Sequence, residues 1–290
     1  MSDAPPLLLL HGNRDNHSHF AEMESILGGT HYTVALDFRC HGLSSKPDCP
    51  LSPELFARDI ERVMDHYGWE SVTLIGHSLG SVTSLVLASR RPERIDRLVL
   101  LGCAATYKVG FKRPEMELTE ETFPQFVAQA NRRAGPFFFH DRYPEVQHRV
   151  LGSWSTIPLH VHRNLVRLEH PDLRPVVPGL RMPTLVIAGE FDKSTTVEHA
   201  QWIHEHLPGS TLFVVPDTAH FMYMEQPDLV ADQIQEFLSA PRVEPQAASA
   251  WAFPRARTYS SATGSRTRRA RPSKTLPRGS SIEGVTGKAR

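Results

Sequence analysis

VTLIGHSLG, residues 72–80, decides how this chain is read. Val72 to Ile75 is a short apolar run of the kind that forms a buried strand, and Leu79 to Ser89 reads as a helix. Between them the chain must turn sharply within Gly76-His77-Ser78-Leu79-Gly80, a match to G-x-S-x-G. Glycines at both ends let the backbone make that turn without side-chain clashes, and the turn pushes the serine out at the carboxyl end of the sheet. An ordinary glycine-rich strand-to-helix turn is the plainer alternative, so the rest of the chain has to decide.

Outward from the turn, strands and helices alternate. Pro6 to Leu10 and Tyr32 to Leu36 read as strands before it, and Ile95 to Leu101, Thr184 to Ala188 and Leu212 to Val215 as strands after it, six in all with Val72 to Ile75. Ser52 and Pro53 open a helix to Tyr67 whose apolar residues Phe56, Ile60, Val63 and Met64 share one face. Further helices are expected over Val197 to Leu207 and Pro227 to Leu238. Strands alternating with helices predict an α/β fold with a mostly parallel sheet covered on both faces. The rhythm breaks over 104–180, where one amphipathic helix (Phe123, Phe126, Val127, Ala130) and shorter candidates at Tyr143 to Leu151 and His160 to Leu168 suggest a small helical lid insertion. The expected organisation is a core of 1–103 and 181–240, the insertion, and a tail of 241–290.

A serine hydroxyl attacks well only with a base in hydrogen-bond reach, itself oriented by a carboxylate. Asp192 follows strand TLVIA and His220 follows strand LFVV, so both project from carboxyl-end loops of the sheet that carries Ser78. That edge is where open α/β sheets bind ligands. With 16 histidines in the chain, one after a strand means little alone; the order Ser, Asp, His adds support.

At this point residues 5 to about 240 resemble the α/β-hydrolase family. LLLL-His11-Gly12-Asn13 looks like its first strand-loop signature, Asp37-Phe-Arg39-Cys-His41-Gly42-Leu-Ser44 resembles its D-x-R-x-H-G-x-S turn, and Ala219-His220-Phe221 with Glu225-Gln-Pro227 resembles the segment around its catalytic histidine. The resemblance implies a Ser78, Asp192, His220 triad, an oxyanion hole from the Asn13 and Leu79 backbone N–H groups, and hydrolysis of a small ester, lactone or thioester with no metal or organic cofactor. His77, Phe137, Phe138, Trp154 and Phe221 are candidates for an apolar substrate pocket, although aromatic residues in an insertion more often form its own small core. The chain departs from the family in three places: only ten residues precede His11, so the family's first two strands are absent or upstream; Ser81 replaces a frequent third glycine; and the loop after Asp192 lacks a common proline. Rival readings are a cofactor-free oxidoreductase of perhydrolase or dioxygenase type, and a ligand receptor on a hydrolase scaffold.

Composition narrows the classes further. Hydrophobic residues are 40% and charged residues 22%, enough for a sizeable core. The net charge of zero hides a basic tail, with 11 Lys/Arg against 2 Asp/Glu over 241–290, so the acidic remainder offers nucleic acid no footprint. The tail's apolar-poor composition predicts disorder. Cys40, Cys49 and Cys103 fit neither a zinc site nor a disulfide framework. The start lacks a signal peptide or membrane span, which favours the cytoplasm. His17-Ser-His19, His160-Val-His162 and His204-Glu-His206 lack metal-site spacing and are expected at solvated positions. The expected partner is a small-molecule acyl substrate.

Overall fold

A computed structural model describes residues 5–107 and 118–241. Strands β1 (Leu7–Leu10), β2 (Thr33–Leu36), β3 (Val72–His77), β4 (Ile95–Leu101), β5 (Thr184–Gly189) and β6 (Ser210–Val215) form one sheet in the order β2-β1-β3-β4-β5-β6, every pair parallel. The six expected strands are thus all present. Their residues divide by parity: Leu8, Leu10, Leu74, Leu98, Leu100 and Val186 enter one apolar cluster, and Leu7, Leu9, Ile75, Val99, Leu101 and Ile187 another. The near-continuous apolar runs follow from this, since both faces are covered. β2 and β6 are the edge strands, and β2 is only half-buried along its length.

Helices α2 (Pro53–Tyr67), α3 (Leu79–Arg90) and α7 (Val197–His206) pack in the first cluster; α1 (Ala21–Leu27) and α9 (Pro227–Ser239) pack in the second, with α8 (Met222–Glu225) beside α9. α2 begins and ends where its residues dictate: Ser52 Oγ accepts from Leu55 N at 3.2 Å, and Gly68 closes it at φ 66°. α1, absent from the sequence expectations, has only seven residues and shows too little period to be read alone.

Between β4 and β5 lie α4 (Phe123–Phe138), α5 (Pro144–Trp154) and α6 (Leu159–Leu165). The aromatic residues here were expected to form a separate small core, and they do not. Phe139, Val146, Val150 and Trp154 join the second sheet cluster with Phe221, while Val161 and Leu165 join the first. Three short amphipathic helices bury too little on each other, so they complete themselves against the sheet. No helix among the described residues is long and apolar enough to cross a membrane. Of the tail 241–290 that was expected to be disordered, residues 242–290 lie outside the described residues.

Candidate active site

The strand order reverses between β1 and β3, and the carboxyl ends at such a switch point are where open α/β sheets bind ligands. Ser78 stands there, between β3 and α3, with φ 51° and ψ −111°. A serine in this region is strained and persists only where its surroundings demand it. The demand is visible at Gly80, where a Cβ would lie 2.0 Å from Leu10 O. α3 therefore approaches β1 more closely than any side chain permits. The first residue of α3, Leu79, has an N–H that no preceding turn of its helix can accept.

His220 and Asp192 meet. His220 Nδ1 lies 2.7 Å from Asp192 Oδ2, with both residues buried. The rest of the carboxylate is held by the loop that follows it: Oδ1 accepts from Ser194 N at 2.7 Å and Thr195 N at 2.9 Å, and Oδ2 from Thr195 Oγ1 at 2.6 Å. Burial opposes ionisation of Asp192, but His220 and these hydrogen bonds outweigh it, and its pKa falls below the ordinary value. Burial likewise pulls His220 down, and the Asp192 charge raises it above the ordinary value on balance.

Two contacts with the end of β4 bring Ser78 and His220 to one place. Ser78 N donates to Leu101 O at 2.9 Å. The next residue, Gly102, sits at φ 53°, and a Cβ there would stand 3.3 Å from the His220 ring.

The other motif residues brace this centre. His11 Nε2 accepts from Phe38 N at 3.1 Å, and burial above all holds its pKa at about 3, so it stays neutral. Asp37 accepts from His17 N and Leu43 N, each at 2.7 Å. Glu225 accepts from Ala219 N at 2.6 Å and His140 N at 3.0 Å, and His220 N donates to Phe138 O at 3.1 Å. The segment after α4 is thereby tied to the histidine loop. Burial pushes the Glu225 carboxyl up to about 7 despite those two amides.

The proposed pocket residues part company. Phe138 lies against the His220 ring (5.4 Å between centroids) and edge-on to Trp154 (5.6 Å). Phe221 is buried and stacks on Phe139 at 4.9 Å, whereas Phe137 is exposed. His77 is fully buried; its Nε2 donates to His220 O at 2.9 Å. Tyr107, which carries no motif in the sequence, follows β4 at the same sheet edge, and burial holds its hydroxyl neutral, well above the usual phenol value, beside Ser78 and Cys103.

Asp15 is likewise unmarked in the sequence. It is a buried carboxylate that accepts from Gly12 N at 3.1 Å and from Trp154 Nε1 at 2.7 Å, with His19 Nδ1 at 3.4 Å and His77 Nδ1 at 3.5 Å. It joins the His-Gly loop, the residue before Ser78 and α5. The expectation that the paired histidines are solvated fails for His19 and His162, both buried. In these two pairs the second residue turns inward, His19 towards Asp15 and His162 against Phe123 at 5.1 Å between centroids, while His204 and His206 are exposed as expected. No cluster of three metal-ligating side chains occurs among the described residues.

Asp15→Asn keeps the shape but accepts through one oxygen, so either Gly12 N–H or the Trp154 N–H loses its acceptor. A stability loss of about 1–3 kcal/mol is expected in urea unfolding. The Asp15 charge also contributes to raising His220. The alkaline-rising limb of the rate should therefore move to lower pH; an unmoved limb leaves Asp15 a structural role alone.

A family model described as alpha/beta hydrolase fold matches residues 5–227. The chain is 28% identical over 232 residues to 3-oxoadipate enol-lactonase 2 of Acinetobacter baylyi, covering 78% of this chain and 85% of that protein. Among solved structures, an enol-lactonase from Burkholderia xenovorans LB400 superposes with TM-score 0.72 at 24% identity, covering 82% of this chain and 93% of that one, a likeness of fold alone. A thermophilic esterase from Thermogutta terrifontis superposes with TM-score 0.69 at 25% identity, covering 81% and 89%.

Proposed function

The chain belongs to the α/β-hydrolase fold family, and we propose that it is a serine hydrolase that cleaves a small carboxylic ester, lactone or thioester through an acyl-enzyme on Ser78. The observation that carries this reading is the strained Ser78 turn at the switch point, beside a buried His220 whose Nδ1 is engaged by Asp192 at 2.7 Å. Relatives named as an enol-lactonase and a putative esterase/lipase support the ester-bond class.

With Nδ1 committed to Asp192, Nε2 is the nitrogen left to serve Ser78. Ser78 Oγ attacks the carbonyl carbon and its proton passes to His220. The Asn13 and Leu79 N–H groups receive the oxyanion, and Asp192 steadies the imidazolium. Collapse expels the alcohol or thiol, which takes that proton. Water activated by the same histidine then releases the acid and restores Ser78. In this reading α4 to α6 cap the crevice, and Phe138 and Trp154 bound the acyl group on its apolar side.

A fluorophosphonate probe tests the nucleophile without knowledge of the substrate. Wild type is expected to carry one adduct, located on Ser78 by mass spectrometry, and Ser78→Ala none. A folded wild type that takes no label, or takes it elsewhere, overturns the acyl-enzyme.

A further inference from the structure

The His-Gly loop carries a cation that this reaction leaves unused. Arg14 stands one residue past Asn13, its backbone at φ 67°, a region that a long side chain occupies only under local constraint. Its side chain is half-buried, and burial pulls its pKa down to about 10 with Asp15 acting the other way. Among the described residues it makes one side-chain hydrogen bond, from Nη2 to His162 Nδ1 at 3.3 Å. Burial, reinforced by Arg14 itself, holds His162 at about 4, so this ring is a neutral acceptor and no counter-ion.

No described carboxylate lies within ion-pair distance of Arg14. Its neighbour Asp15 accepts instead from Gly12 N and Trp154 Nε1, with His19 and His77 Nδ1 at 3.4 and 3.5 Å. A guanidinium has five N–H donors, and four here remain without a described acceptor. A guanidinium partly shielded from water and without a counter-ion gains more from an anion than a fully solvated one does. The group links the His-Gly loop, next to Asn13, to His162 on α6 of the inserted segment. The His162 ring is itself packed against Phe123 and Phe126, at 5.1 and 5.3 Å between centroids.

We propose that Arg14 anchors a carboxylate on the substrate, so that the preferred ester, lactone or thioester carries an anionic carboxylate a few bonds from the scissile carbonyl. The inference rests on the reading of the Ser78 crevice as the substrate site. A planar guanidinium offers two parallel N–H groups to a carboxylate, and a lysine offers only a point charge.

Monomethyl glutarate and methyl pentanoate, matched in length and differing in one carboxylate, make the test. In wild type kcat/KM for the half-ester is expected to exceed that for the neutral ester by about 10- to 100-fold. In Arg14→Gln this ratio should fall to about one, with Arg14→Lys between. A loss of folded protein common to both substrates cancels in the ratio. Calorimetric binding of monomethyl glutarate to Ser78→Ala, lost in Ser78→Ala/Arg14→Gln, reads the anchor without turnover. Hydrolysis of both esters with no preference, or a preference that Arg14→Gln leaves intact, overturns the anchor and spares the hydrolase. Arg14-dependent binding to Ser78→Ala with no hydrolysis of either ester by wild type upholds the anchor and overturns the acyl-enzyme instead.

Discussion

Ser78→Ala is expected to lower kcat for ester hydrolysis by about 10⁶, the scale seen when a triad loses its nucleophile. The size follows from what remains. The oxyanion N–H groups and the crevice still bind substrate and still favour a tetrahedral centre, a residual catalysis worth about 10³ to 10⁴ over water. What disappears is covalent capture, and with it any use for the base, because His220 then has no hydroxyl to deprotonate. Loss of one oxyanion donor, by contrast, costs about 10² to 10³, so the serine variant should be the most severe single change in the crevice. Steady-state hydrolysis of a short-chain ester, with circular dichroism as a check on folding, measures it. Activity within about tenfold of wild type, against that expected scale, places the nucleophile elsewhere and removes the basis of the proposed mechanism.

Features that local sequence encodes are legible in the residues alone. Each strand is an apolar run whose alternate residues feed two buried clusters, and the Ser52 and Pro53 signals open α2 where they should. Ser78, Asp192 and His220 can be placed on one sheet edge because each lies in the segment that follows a strand, which needs no knowledge of which strands are neighbours.

Features that the sequence hides depend on contacts between distant residues. Asp15 and Trp154 are 139 positions apart, and nothing local marks an aspartate three residues past a glycine as the acceptor of an indole. The tie from Phe138 O to His220 N is invisible for the same reason. So is the burial of His162, which is set by α6 lying across the Arg14 loop and α4. Arg14 and Tyr107 do carry a faint signal, since both follow strands at the carboxyl edge, but so do many residues with no part in chemistry.

Asp192→Asn is expected to lower kcat by about 10⁴ and to do so through a tautomer. Oδ1 of Asp192 accepts two backbone N–H groups, from Ser194 and Thr195, and an asparagine must keep its carbonyl oxygen there to satisfy them. Its amide nitrogen then takes the place of Oδ2, 2.7 Å from His220 Nδ1, and presents a donor where the histidine needs an acceptor. His220 is forced to carry its proton on Nε2, the nitrogen that must be bare to receive the proton of Ser78. The pH profile separates this from simple misfolding. In wild type the rate rises with pH as His220 loses its proton, and the Asp192 charge sets that limb above the ordinary histidine value against the pull of burial. With the charge gone, burial acts unopposed by that carboxylate, the neutral ring is favoured, and the limb should shift to lower pH while the plateau drops. A lowered plateau with an unmoved limb would mean that Asp192 holds the loop of Ser194 and Thr195 in shape but does not act on the histidine.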